Sequence, residues 1–295
     1  MLGSLFLLAA TVASAAAAGS CTRDQLQAVA DSVVAAQTAG NPALLQPAAA
    51  ADAAYTENRQ SATSLAAGIL SHALKPDHVR SSLDTTQCAT YTEMIVATGA
   101  KPYEIGVQVF LAPGDASAVH RVDTIYTSTG DWLFNITGTL YWASRETWAP
   151  IPEAQRDTRA VIQAAADAYC DVFSNKSTVV PWGTPCARLE GGSYTGKGSA
   201  SDSCNVGIPS GVSLTQRRYV IDEVIGAVDV FMSFANLPDS HDFRVEGGKL
   251  RYVHTMTVMT GGKGKSSGGG GGGKGGKGAK RRRSVTGGVK QGAGL

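Results

Sequence analysis

The chain writes TRDQLQAVAD at residues 22–31 and TRAVIQAAAD at residues 158–167, with six of ten positions identical. In the first stretch and just beyond it, Leu26, Val29, Ala30, Val33 and Val34 recur at helical spacing. In the second, Ile162, Ala165, Ala166, Tyr169 and Phe173 do the same. Each pattern predicts an amphipathic helix with one apolar stripe. Thr22 or Thr158 can cap its start, and Asn41-Pro42 or Pro181 lies beyond its end. Period-two stretches follow in both halves: 89–97, 102–112 and 120–129, then 217–226, 227–235 and 249–259. Their β-branched and aromatic residues and intervening turn residues predict antiparallel meanders. Aligned 130 residues apart, Glu93 falls on Glu223, Arg121 on Arg251 and Thr124 on His254. A chain that repeats helix-then-strands folds as two similar units, here 19–150 and 151–260.

The ends differ from this body. Residues 1–18 carry no charged side chain, and an apolar run from Leu2 to Val12 precedes small residues. That is the pattern of a secretory signal peptide cut near Ala18, and the run is too short to span a bilayer. A lipid anchor on Cys21 is a weaker match, because the residues before it lack the usual leucine. Residues 261–295 are rich in Gly, Lys and Arg and read as a disordered tail. Nine of the chain's 26 basic residues lie after Thr260, leaving 17 against 24 acidic ones in the rest. The body is therefore acidic, which argues against specific nucleic-acid binding. The tail itself suits weak adhesion to anionic surfaces, and its Lys280–Arg283 run is open to proteases that cut at basic pairs.

Cysteine usage agrees with export. Cys170 aligns with Val34, a packing position, and reads as a buried free thiol. The other four then divide by half, Cys21 with Cys88 and Cys186 with Cys204. Neither pair has zinc-site spacing. Asn135 and Asn175 begin glycosylation sequons. The Gly191–Gly198 run stops one residue short of a phosphate-binding loop, since position 198 is Gly where Ser or Thr is needed. No metal motif is present, and no cofactor is expected.

The candidate site residues are ionisable groups inside strands. Alternation places Tyr252, His254 and Met256 on one face, so a His stands between apolar neighbours. Were that face to line a pocket, His254 would be a general acid or base, with Asp222 or Glu223 as partner and Tyr219 nearby. Trp182, Tyr252 and Met256 are the expected ligand-binding walls, and Trp132, Trp142 and Trp148 are core or pocket-wall candidates. Glu93 and Asp123 read as partners of Arg121 or as sheet-surface charges.

The stretches DTTQCATYTEMIV (84–96), STGDWLFNITGTLYWASRETW (128–148) and VVPWGTPCARLEGGSYTG (179–196) resemble a family of secreted fungal proteins of unknown function. The resemblance spans residues 21–259. The order of elements looks like tandem NTF2-like, or SnoaL-like, cones: an α+β fold with helices packed on curved antiparallel sheets, joined as a pseudo-dimer by internal duplication. Fungal cofactor-free cyclases, hetero-Diels–Alder catalysts among them, are suspected relatives. The resemblance implies a pocket for an apolar small molecule and cofactor-independent cyclisation or isomerisation. The other classes are a non-catalytic ligand binder and a structural or surface-associated protein. No family site residues carry over.

Overall fold

The computed structural model describes residues 21–62, 64–112 and 115–259. The signal-peptide and tail readings lie outside the described residues. No helix among the described residues is long and apolar enough to cross a membrane.

The chain opens with helix α1 (Arg23–Ala39), closed at its start by a reciprocal Thr22–Gln25 capping box and at its end by Gly40 in the left-handed region. Strands β1 (Ala49–Glu57) and β2 (Gln60–Ser61) form a hairpin, and β3 (His78–Asp84), β4 (Ala89–Val96), β5 (Tyr103–Ala112) and β6 (Asp115–Thr127) follow. Helix α2 (Ile136–Ala143) leads to α3 (Arg159–Asp171), which Thr158 caps. The second half repeats the pattern with β7 (Trp182–Glu190), β8 (Ser193–Tyr194), β9 (Leu214–Asp222), β10 (Ala227–Phe234), β11 (Leu237–Glu246) and β12 (Lys249–Thr257). The two sheets have matching orders, β2-β1-β6-β5-β4-β3 and β8-β7-β12-β11-β10-β9.

This architecture corrects the expected fold. Each half is a mixed six-stranded sheet, not an antiparallel meander, because β1 runs parallel to β6 and β7 parallel to β12. Strands dominate, and the described residues hold three short α-helices. That composition does not match NTF2-like cones with helices packed across them. The expectation failed because β1, β3, β7 and β11 lack clear alternation. The Ala-rich AAADAAYTE of β1 carries almost no strand signature.

Each sheet is buried on both faces. In β4, Met94 and Val96 pack beneath α1, whereas Ala89 and Tyr91 face the other sheet. In β10, Val228, Val230 and Met232 pack under α3, and Phe231 faces across. Where the sheets meet, Gly106 lets Tyr91 and Met256 close in. A Cβ there would sit 2.7 Å from Met256 Cε and 2.9 Å from the Tyr91 ring.

The repeated Thr-Arg pair explains how the halves are joined. Arg159, first residue of α3, donates from Nη1 and Nη2 to both carboxylate oxygens of Asp84 in the first sheet, each at 2.7 Å. Arg23, first residue of α1, donates to both oxygens of Asp222 in the second sheet, at 2.6 and 3.1 Å. The backbone follows the same exchange: Ile221 N donates to Asp84, and Leu83 N to Asp222, both at 2.9 Å. Both carboxylates are fully buried. Disulfides join Cys21 to Cys88 and Cys186 to Cys204, within the halves, and Cys170 is a buried free thiol. These bridges and the absence of a spanning helix among the described residues are compatible with an extracellular protein.

Replacing Arg23 or Arg159 with Ala leaves a buried aspartate without its cation, a change expected to cost about 3 kcal/mol. Urea unfolding of Arg23→Ala, Asp222→Ala and the double variant checks this: the double variant should recover most of the second single loss.

Candidate functional site

Two constellations gather ionisable side chains, one on each face of the second sheet. The first is the setting of His254. Its side of β12 faces the first sheet, not a pocket, and the ring is 2 % exposed. Nδ1 lies 2.9 Å from Glu93 Oε1, and Nε2 lies 2.7 Å from Glu146 Oε2. Arg80 donates to Glu93 at 2.8 Å and to Asp242 at 2.5 Å, and its guanidinium stacks 3.6 Å from the Trp148 ring. Trp148 Nε1 and the Tyr194 hydroxyl donate to the two oxygens of Glu146. Tyr252 stacks on Trp148, with centroids 5.8 Å apart.

Burial alone would lower the His254 pKa, but Glu93 and Glu146 outweigh it and raise the imidazolium to about 10. Burial would raise Glu93, but Arg80 and His254 hold it well below the usual carboxylate range. Burial, then the charge of Glu93, pushes Glu104 up to about 8, so it is largely protonated at neutral pH. His254 is therefore a fixed cation with both nitrogens engaged, which suits joining sheets better than moving protons.

The partners expected for His254 are elsewhere. Asp222 is held by Arg23, Leu83 N and Val224 N. Glu223 accepts from Arg159 N at the start of α3. The Tyr219 hydroxyl donates to Asp167 at 2.6 Å. Met256 packs in the intersheet cluster, and Trp182 packs edge-on against Tyr169. Asp123 does pair with Arg121, at 2.6 Å, whereas Glu93 pairs with Arg80 and His254. The register also moves the counterpart of His254. Gln108 opposes Asp123 as Asp242 opposes His254, so Asp123, not Thr124, occupies the matching place. Asn135 and Asn175 are exposed, and Asn175 Oδ1 accepts from the backbone and hydroxyl of Ser177.

The second constellation lies on the opposite face, under the end of α3. A cavity of about 300 Å³ is walled by Trp132, Phe173, Val212, Phe234, Leu237 and Met259. Its polar floor comes from β7, β11 and β12: Arg188, Glu190, His241, Thr255 and Thr257. His241 Nδ1 lies 2.5 Å from Asp239 Oδ1, and Asp239 Oδ2 accepts from Thr257 Oγ1 at 2.5 Å. The His241 ring is stacked near Phe243, 5.9 Å between centroids, and touches Tyr169 and Phe173. Nε2 makes no hydrogen bond among the described residues. An aspartate on Nδ1 fixes the ring orientation, so any further polar contact would fall to Nε2.

The matching place in the first half is filled. There the Tyr55 hydroxyl donates to Glu57, whose carboxylate also accepts from Ile69 N, and Leu70 is fully buried beside them. The cavity thus belongs to the second sheet. The sequence reading missed His241 because LPDSHDFRVE mixes a proline and four charged residues with few apolar ones. Its alternation, Asp239, His241 and Phe243 on one face, was the available signal.

A family model described as a domain of unknown function (DUF8021) matches residues 155–257, which hold α3, the second sheet and most of the cavity. No curated protein matches the chain.

Both raised groups, His254 and Glu104, bind protons more tightly in the native state than their unfolded references of ~6.5 and ~4.3. Their stabilisation is complete below those references and is lost as pH rises, through about 8 for Glu104 and about 10 for His254. Urea midpoints should fall steadily from pH 5 to pH 10. In Glu104→Gln the fall between pH 5 and pH 8 should be shallower, and in His254→Gln the fall above about pH 8 should be shallower. Midpoints flat across this range would contradict the assignment.

Proposed function

We propose that the protein is an exported binder of a small apolar molecule, held in the cavity of the second sheet. The observation that carries this reading is an aromatic and aliphatic wall over a floor with one oriented imidazole. Its volume is at the lower end of the range for small-ligand sites. Two disulfides and a leader of signal-peptide composition support export.

A second reading is favoured by the His241–Asp239 pair: cofactor-independent isomerisation or cyclisation of the bound molecule. Nε2 would take a proton from an acidic C–H or O–H facing the floor and return it at another atom. Arg188 and Thr255 lie on the same floor, where they could hold a developing oxyanion. Atoms and charge balance, because the proton leaves and returns within one complex.

Purified protein incubated with an extract of its source should carry a one-to-one adduct in native mass spectrometry. Val212→Trp, which fills the cavity mouth, should abolish the adduct while the fold persists. Failure of any extract to yield an adduct would reject the binding reading. His241→Gln should keep the ligand and, if the second reading holds, lose turnover by about 100-fold or more.

A further inference from the structure

The intersheet groove has two matching ends, one covered and one open. At one end Arg80 and His254 are covered by Glu146 and Trp148. At the other end the register places Arg218 where Arg80 stands, Asp123 where His254 stands and Arg121 where Tyr252 stands. This second end is a pocket of about 330 Å³, lined by Arg59, Arg121, Asp123, Gln216, Arg218 and Phe231 among others.

We infer that this pocket is a binding site for a small planar aromatic carboxylate. The covered end shows what chemistry suits the open one. There Trp148 packs on Tyr252, its ring inclined by 30°, and under the Arg80 guanidinium, and the Glu146 carboxylate supplies negative charge beside it. At the open end Arg218 and Arg121 hold the register places of Arg80 and Tyr252, and an exposed guanidinium can stack on a ring. Three arginines face one buried carboxylate. Arg121 and Arg218 both pair with Asp123, and Arg59 donates to Gln216 Oε1. The local charge is two positive in excess, with no counterpart of Glu146 among the lining residues. Arg218 is 40 % exposed, where Arg80 is 9 % exposed.

The turn that carries Arg59 supports the same conclusion. Asn58 and Arg59 hold φ of 44° and 63° between β1 and β2. At the matching turn of the second half these positions are Gly191 and Gly192, the residues this geometry favours. An arginine placed where glycine is easier delivers its guanidinium to the pocket rim despite the backbone cost.

The test uses the intact protein and phthalate as probe, followed by isothermal titration calorimetry at fixed ionic strength. Saturable one-to-one binding is expected. Arg218→Gln should weaken it at least tenfold. Gln216→Glu, which removes no arginine and places a carboxylate beside Arg59, should weaken it similarly while circular dichroism stays unchanged. Val212→Trp should leave phthalate binding intact, which separates this site from the cavity of the second sheet. No saturable binding, or binding unaltered in both Arg218→Gln and Gln216→Glu, overturns the inference.

Discussion

The exchange of Arg23 with Asp222 and Arg159 with Asp84 governs how the rest of the molecule is built. Each helix is capped within its own half but begins with an arginine that reaches the other sheet, so each half supplies the cation for the other's buried aspartate. Each aspartate also accepts a backbone N–H from the opposing edge strand, which locks β3 against β9. Two buried carboxylates with bidentate cations and backbone donors are well satisfied. Losing any one donor leaves charge in a low-dielectric setting. Once the sheets are drawn together this way, their inner faces leave water, and α1 covers the outer face of β4. That is why β4 is buried at every position.

A sheet buried on both faces must then satisfy its own polar groups. The intersheet face carries Glu93, Glu104, Asp229, Asp242 and His254, all nearly inaccessible. They are handled in two ways. Glu93 keeps its charge because Arg80 and His254 are beside it. Asp229 is pushed well above the usual carboxylate range by burial and by Asp242, and it bonds to Gln108 and Ser240. Neutralisation of some carboxylates and pairing of others keeps net charge out of the interface without an apolar replacement.

Much of this was legible from residues 22–31 and 158–167, but only in part. The pattern located both helices and their threonine caps. It could not show that each arginine serves the opposite half, because long-range pairing leaves no local trace. Strands rich in β-branched residues, such as ATYTEMIV, were visible as strands. AAADAAYTE and WGTPCARLE were not, and with them went the parallel pairings that make the sheets mixed; LPDSHDFRVE was missed as well. A fixed offset of 130 also misassigned the partner of His254. Loop lengths differ along the chain, so the true offset shrinks from 138 between Asp84 and Asp222 to 131 between Asp123 and His254. Cysteine pairing succeeded because burial of Cys170 could be judged from its Val34 counterpart.

The two histidines of β11 and β12 show how one residue of strand alternation decides chemistry. His254 and Asp242 oppose each other on the intersheet face, whereas His241 opposes Thr255 on the face beneath α3. A histidine between two carboxylates and an arginine is held cationic over the neutral range, with one nitrogen on the other sheet at Glu93 and the second on Glu146 of the segment after α2. His241, with one aspartate on Nδ1, instead lines the apolar cavity, and its Nε2 makes no hydrogen bond among the described residues. The first half has Val107 opposite Thr124, at the places of His241 and Thr255, and fills the space with Ile69 and Leu70. The same fold thus packs this space shut in the first half and leaves it open in the second, just as Glu146 and Trp148 cover one end of the intersheet groove and leave the other open.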